Sequence, residues 1–481
     1  MVNPRIAFVN PPFLPRYSRG QRSPAVTRSG TLYYPLWLAY ATAHAERLGC
    51  PNILIDSPAF GYDINRTLEK IREFKPDVTI VETATPSIVS DLNFALLIKS
   101  SGISKIVIAS GTHVSALPHE AFQLAPELDA VFVGEYEIPL EEAIHALREN
   151  RTFENLEGVH LKNSTPRART RYFEDLEKRP FVSEIYKKHL PVEEYFNPNS
   201  LHPMAAIITG RGCPHFCSFC VFPQTLTGRR YRKRSVSSII AEFKWVSENL
   251  PQVRGIFLED DTFTADRFRV IDFCENLSRI DLPLSWTANS RADVDFETLS
   301  CMKKAKLRSL CVGFETGNQE ILEKIGKGIS VFQMQKFAED ARNAKVYVHG
   351  CFIAGLPGET RLSLQRTLQF ALNLPLDTAQ FYPLMVYPGT QAYNWAKEGG
   401  FLTVSKYRDW LSEDGLHQCV VKTSDLSPSQ LVRFCNYARR RFYLRKSYLI
   451  SMLKRILTEK DERHRILLSA KTFFKHLWKD R

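Results

Sequence analysis

Thr209-Gly-Arg-Gly-Cys-Pro-His-Phe-Cys-Ser-Phe-Cys-Val-Phe-Pro223 follows an apolar run at 204–208 and sets Cys213, Cys217 and Cys220 at a C-x3-C-x2-C spacing. Thiolates this close in sequence can wrap one iron–sulfur cluster. A cubane has four irons, so three thiolates leave one iron open to a small molecule, a position that an electron carrier would normally close. Glycines and Pro214 suit a tight loop, and Phe216, Phe219 and Phe222 are expected to shield the cluster from water. The alternative is a zinc site using His215 or a distant ligand, although zinc knots usually pair cysteines as two C-x2-C units. An odd, clustered trio with no secretory signal before it argues against disulfides.

Downstream, apolar runs alternate with helical spacing. Strands are predicted at 205–209, 255–258, 284–288, 309–312, 347–353 and 378–384, with helices at 236–249, 266–278, 295–305, 331–344 and 362–373. Each strand ends in a polar or glycine-rich loop: Glu259-Asp260-Asp261, Asn289-Ser290-Arg291, Gly313-Phe-Glu315-Thr-Gly317, Gly355-Leu-Pro-Gly-Glu-Thr360 and Tyr387-Pro-Gly-Thr390. Six such strands over 203–400 predict a partial (β/α)6 barrel, with its site at the strands' carboxyl ends.

Upstream, strands at 5–10, 52–55, 78–81, 105–109 and 130–133 alternate with helices at 34–48, 63–74, 90–100, 119–124 and 138–149. This predicts an α/β domain over 1–150 built on a doubly wound parallel sheet. Ligands in such sheets bind outside the carboxyl ends of the strands, here the loops 10–13, 83–87, 110–113 and 134–137. No G-x-G-x-x-G follows the first strand, so a dinucleotide is a weak expectation. Residues 151–202, with Pro166, Pro180, Pro191 and Pro198 and a short strand at 158–161, read as a linker.

The cysteine spacing resembles the signature of the radical S-adenosyl-L-methionine (SAM) superfamily. That resemblance implies a [4Fe-4S] cluster on Cys213, Cys217 and Cys220, with the open iron chelating the amino and carboxylate groups of SAM. Reductive cleavage then releases a 5′-deoxyadenosyl radical. Glu259, Asp260 and Asp261 stand where the family carries a Gly-Gly-Glu-like motif, and a carboxylate there can take the SAM ammonium. Arg291 is expected to hold the SAM carboxylate or the substrate. Glu315 resembles the family's ribose-contacting acid, and Gly355 opens a motif like the one near the adenine. The plain alternatives are turns for the glycine-rich endings, an acidic helix start for Asp260/Asp261 and a helix start for Glu359-Thr360. Lys324 and Lys327 read as solvated charges.

The upstream domain resembles the cobalamin-binding domain fused to one class of these enzymes. The resemblance rests on Asn10-Pro11-Pro12, Thr85/Ser87, Gly111-Thr112-His113 and Gly134-Glu135-Tyr136-Glu137, and it implies cobalamin contacts from Thr85, Ser87, Gly111, Thr112, His113, Gly134 and Glu135. Small residues such as Ser110 and Gly111 would let a nucleotide tail approach the backbone. An Asp-x-His-x-x-Gly motif is absent, so no histidine from that motif would ligate the cobalt. A flavodoxin-like domain that binds nothing is the alternative.

The 481 residues are 44% hydrophobic and 24% charged, ordinary for a globular protein. Neither a secretory signal nor an uninterrupted apolar run of about 18 residues is present. Ten cysteines then point to a reducing, cytoplasmic compartment. Cys50, Cys274, Cys301, Cys311, Cys351, Cys419 and Cys435 read as small buried hydrophobes. The extension 401–481 is expected to be mostly helical and basic: residues 433–481 carry 15 Lys/Arg against 4 Asp/Glu, nearly the whole +12 net charge. Phe442, Tyr443, Tyr448, Leu449, Met452, Leu453, Ile456 and Leu457 recur there at helical spacing, with Phe473, Phe474, Leu477 and Trp478 beyond them. Such a helix can lie on an anionic membrane or pack on the barrel with a solvated basic face. Arg229, Arg230, Arg232, Lys233 and Arg234 form a second basic stretch, read as a cover over the site, a contact for an anionic substrate or an exposed turn. No nucleic-acid module accompanies the charge, so no nucleic-acid partner is expected.

Up to about residue 400 the chain resembles a cobalamin-dependent (class B) radical SAM enzyme, similar to hopanoid methylases and the anaerobic magnesium-protoporphyrin ester cyclase. This implies methyl transfer to an unactivated carbon of a small-molecule or lipid-like substrate, with a ferredoxin or flavodoxin as reductant. A cyclase or rearrangement enzyme without net methyl transfer is the alternative, and a non-enzymatic iron–sulfur sensor belongs to a different class. A methylthiotransferase is disfavoured because Cys50 alone precedes the cluster loop.

Overall fold

The computed structural model describes residues 3–164, 171–178 and 180–458, together with 463 and 466. The first sheet contains β1 (Ile6–Asn10), β2 (Asn52–Asp56), β3 (Val78–Thr83), β4 (Ile106–Gly111) and β5 (Ala130–Phe132), ordered β2-β1-β3-β4-β5 and parallel. These strands are buried over most of their length because helices cover both faces. β6 (Val159–His160) adds an antiparallel edge on β5, where the linker strand was expected. The order reverses between β1 and β3, so their carboxyl ends open a crevice.

The second sheet begins with β7 (Met204–Ile207). A two-stranded hairpin of β8 (Gly210–Arg211) and β9 (Arg232–Lys233), which the sequence pattern did not reveal, then encloses the cysteine loop. β10 (Gly255–Leu258), β11 (Ser285–Ser290), β12 (Leu307–Glu315), β13 (Tyr347–Ala354) and β14 (Thr378–Pro383) follow in sequential parallel order. The result is an open six-stranded barrel segment with β7 and β14 as its edges.

Both edges are finished by tyrosines. On β7, Tyr34 Oη donates to Met204 O (2.7 Å), Tyr186 Oη donates to Ala206 O (2.7 Å) and Ile208 N donates to Tyr40 Oη (2.7 Å). On β14, Tyr443 Oη accepts from Ala379 N (3.1 Å) and donates to Ala379 O (2.8 Å). These hydroxyls satisfy backbone groups that a neighbouring strand would otherwise take.

The helix Leu36–Arg47 carries Tyr40 and is buried from Leu36 to Ala45, because it lies between the two sheets. A helix apolar on every side is a buried one. The linker expectation for 151–202 is corrected in part. Within it, the helix Val182–His189 brings buried Tyr186 into the same core, stacked on Tyr34 at 4.1 Å.

Among its described residues, the C-terminal extension is helical mainly beyond residue 427. Tyr407–Trp410 forms a 3-10 turn, and the helices Pro428–Tyr443 and Lys446–Thr458 follow. Phe442 and Met452 are buried, whereas Leu449, Ile450, Leu453 and Leu457 are exposed. The apolar set Phe473, Phe474, Leu477 and Trp478 lies outside the described residues. Among the described residues no helix is long and apolar enough to cross a membrane.

Candidate functional site

The cysteine loop is held from several directions. Gly212 adopts φ +85°, and a Cβ there would meet Arg230 O at 2.1 Å, so the backbone can pass only as glycine. Cys213 N donates to Gly228 O (3.1 Å), Ser218 N to Ile325 O (2.9 Å) and Ala392 N to Ser218 O (3.0 Å). Gln224 Nε2 donates to Ser218 O (3.1 Å) and Cys220 O (2.8 Å). Cys217 is buried, and Cys213 and Cys220 are half-buried. Burial, with Asp261 nearby, pushes the Cys213 thiol up to about 11 and raises Cys220 further. Bare thiolates are costly there, so the donor set fits a metal group that takes up their charge. Among the described residues no group of three or more His, Cys, Asp or Glu is arranged to hold a single metal ion. The expected aromatic shield is corrected: Phe222 is buried, but Phe216 is exposed beneath the Arg229 guanidinium.

The three acids after β10 divide their work. Asp260 turns inward and accepts from Thr209 N (2.6 Å) and Thr209 Oγ1 (2.7 Å), tying β10 to the root of the cysteine loop. It therefore positions the loop rather than facing a ligand. Glu259 accepts from Asn289 Nδ2 (3.1 Å), and Asp261 accepts from Thr227 Oγ1 (2.8 Å). Both also face Arg22 of the first domain, at 3.5 and 3.2 Å. This acidic pair, already holding one cation, fits the ammonium of SAM. Arg22 was missed from the sequence: it sits in an irregular loop, and nothing local marks it.

Arg291 is buried, bonded to Asp293 Oδ2 (3.0 Å) and Lys327 O (2.6 Å). The reading of Lys327 as solvated is corrected: it is buried, and its Nζ meets Glu315 Oε1 at 2.8 Å. Glu315 has φ +65° at a break in register between β12 and β13, an unusual conformation for a side-chain-bearing residue. Gly355 follows β13 at φ +98°, and a Cβ would meet Leu431 at 2.9 Å. Glu359 is no helix start. Thr360 caps that helix through Ser363 N (3.2 Å), while buried Glu359 accepts from Gly355 N and from Leu356 N (3.2 Å). Burial pushes its carboxyl up to about 8.

In the first domain, Thr85, Gly111, Thr112, His113 and Gly134 lie at the carboxyl ends of β3, β4 and β5. A Cβ on Gly111 would meet Thr83 O at 2.2 Å. His113 Nδ1 is 3.2 Å from Thr85 Oγ1, its Nε2 has no partner, and Tyr407 stands against the ring at 4.7 Å. Burial pushes this imidazole down to about 3, so it is neutral. Gly134 N donates to Ser115 Oγ (2.9 Å). An orphaned buried nitrogen beside small residues fits a polar ligand such as a corrinoid nucleotide. Two residues of the expected set are committed elsewhere. Ser87 donates to Asp91 (2.6 Å), which also binds Arg19, and Glu135 spends both oxygens on Arg232 (2.6 and 2.8 Å). With Glu137 paired to Arg211 (2.6 and 3.0 Å), Glu135 fastens the domains together. The second basic stretch is thereby corrected: Arg232 is buried on Glu135 and Arg234 on Glu242.

Residues 207–371 match the Radical SAM superfamily. A protein of Pyrococcus horikoshii named an uncharacterized methyltransferase is 29% identical over 88% of this chain and 90% of its own. The anaerobic magnesium-protoporphyrin IX monomethyl ester cyclase of Cereibacter sphaeroides is 26% identical over 92% of this chain and 71% of its own. Among solved structures, the radical SAM methyltransferase TsrM of Kitasatospora setae, with cobalamin and a [4Fe-4S] cluster bound, superposes with a TM-score of 0.68. It is 16% identical and covers 91% of each chain. Residues 207–371 are a radical SAM domain, and over most of its length the chain is similar in sequence to a named methyltransferase and in fold to a radical SAM methyltransferase that binds cobalamin.

Proposed function

We propose that this protein is a cobalamin-dependent radical SAM methyltransferase acting on an unactivated carbon. The observation that carries the reading is the three-thiol loop beside Glu259 and Asp261, an acidic pair already engaged with a cation. The similarity to named methyltransferases supports the transferred group. When bound, the reduced cluster supplies an electron for SAM cleavage and the corrinoid carries the methyl group. Cys213, Cys217 and Cys220 hold the cluster. Glu259 and Asp261 orient the SAM ammonium, and Asp260 fixes the loop against them. Lys327 holds Glu315 aimed, so that it can accept from ribose hydroxyls. Arg291 holds the loop ending at Lys327 in register. Glu359 shapes the Gly355 turn toward the adenine. Thr85, Thr112, His113 and Gly134 line the corrinoid side.

Anaerobic reconstitution with iron, sulfide and hydroxocobalamin tests this, followed by dithionite and SAM. Bound corrinoid with both 5′-deoxyadenosine and S-adenosylhomocysteine is expected. Deoxyadenosine alone would favour the second reading, a cyclase or rearrangement, which the cyclase relative supports.

The substrate is a small or lipid-like molecule, with a ferredoxin or flavodoxin as reductant. Peripheral membrane contact belongs to the same reading. Between residues 428 and 458 the chain has eight Lys/Arg and no acid, and Leu449, Ile450, Leu453 and Leu457 form an exposed stripe. Sedimentation with anionic vesicles should be lost in a Leu453→Glu/Leu457→Glu variant.

A further inference from the structure

The loop between β1 and the helix Leu36–Arg47 carries two arginines three residues apart, and they point into different domains. Arg19 is fully buried in the first domain. Its guanidinium is bonded to Asp91 (2.9 Å), Pro11 O (2.9 Å) and Asn10. Arg22 crosses to the barrel mouth. There Nη2 donates to Asp261 Oδ1 (3.2 Å), Asp260 O (3.0 Å) and Glu259 O (3.4 Å), while Nη1 donates to Glu259 Oε2 (3.5 Å). Its guanidinium also lies over the Phe222 ring at 5.0 Å. Two carboxylates and two carbonyls thus converge on one cation at the strand end beside the cysteine loop. Unlike Arg19, the Arg22 side chain keeps 28% of its surface exposed, so water can take over its bonds.

We propose that Arg22 is an electrostatic gate that holds the SAM ammonium site and leaves it when SAM binds, so that SAM arrival is transmitted to the loop of the corrinoid-side domain. This rests on the assignment of Glu259 and Asp261 to SAM. An ammonium needs the same acceptors that the guanidinium now uses, and a second cation brought to contact distance there is repelled by the first. Binding therefore includes the cost of releasing Arg22, and the apparent affinity falls by the fraction of molecules in which the gate is open. The released arginine belongs to a segment also tied to the last barrel loop and to the C-terminal extension: Ser23 Oγ lies 3.0 Å from both Tyr387 Oη and His417 Nε2, and Val26 N donates to Gly415 O (2.9 Å). Displacement at the cluster is then felt at the crevice where Arg19 is anchored.

Equilibrium dialysis of SAM with cluster-reconstituted, full-length wild-type, Arg22→Gln and Arg22→Lys proteins tests the gate. Arg22→Gln should bind SAM tighter, by about tenfold, with Arg22→Lys in between. Affinity for 5′-methylthioadenosine, which has neither ammonium nor carboxylate, should be the same in all three, a result that general loosening of the fold would not give. Hydrogen exchange at residues 13–34 should rise on adding SAM to the wild type. Weaker or unchanged SAM binding in Arg22→Gln, with wild-type binding intact, overturns the gate and leaves the SAM assignment standing. Failure of SAM to bind any of the three, despite a full complement of iron and sulfide, overturns the assignment and the gate together.

Discussion

The two domains meet at two seams of opposite character. Deep in the molecule, Arg211–Glu137 and Arg232–Glu135 are bidentate pairs with side chains almost wholly out of water, and Arg211 lies over Tyr40, which is bonded at the end of β7. At the barrel mouth, Arg22 meets the strand-end acids with part of its surface in solvent, through longer bonds spread over four acceptors. The same residue types therefore do different work. Buried, short, bidentate pairs fix the relation of the domains, because breaking them strands a charge in a medium that cannot solvate it. Partly exposed pairs are worth little to stability and are free to be exchanged for a ligand.

Changes at the mouth should alter chemistry and spare the fold, whereas changes at the deep seam should do the reverse. The largest effect is expected for Cys217→Ala: loss of the cluster and of reductive SAM cleavage, read as iron content and 5′-deoxyadenosine, with the melting transition of the unreconstituted protein little changed. Retained turnover would sink the cluster assignment. Next comes Glu137→Ala, which leaves the buried Arg211 guanidinium with a 3.7 Å approach to Glu135, itself engaged with Arg232. About 3–5 kcal/mol of stability should be lost, measured by urea denaturation, and an undiminished midpoint would mean that the seam does not hold the domains.

Glu359 sharpens the contrast, since it is buried at the mouth yet structural. Its pKa is raised in the fold, so the stability it contributes is full below the unfolded value of about 4.3 and declines as pH rises toward about 8. Glu359→Gln should therefore gain on the wild type between those limits. Glu359→Ala, which leaves two backbone donors unmet, should lose about 1–3 kcal/mol. A flat difference between Gln and wild type across that range would contradict the burial argument. Smallest is Tyr40→Phe, which frees Ile208 N at the β7 edge and should cost about 1 kcal/mol in the same denaturation experiment.

Much of this was legible in sequence, and the reason is local. Each barrel strand is an apolar run that stops at a polar loop, so β10 and β13 were predicted to within a residue. The cysteine loop declares itself by spacing. Long-range partners left no such mark. Nothing around Arg22 says that it will meet Asp261, and Glu135 sits in a motif that resembled a corrinoid contact although its partner, Arg232, lies far along the chain. Lys327 looked solvated among glycines and lysines. Only the bulge that turns Glu315 back toward it makes it a buried ion pair. Hairpins as short as β8–β9 are set by what they enclose, not by propensity.

The tyrosines on the barrel's two edges have a consequence for dissecting the protein. Cutting out residues 203–400 removes Tyr34, Tyr40, Tyr186 and Tyr443 together, and leaves β7 and β14 as bare templates for strand addition. The isolated barrel should then pair edge to edge and aggregate. In that sense the flanking segments act as built-in chaperones, and a soluble minimal unit must extend from Tyr34 through Tyr443.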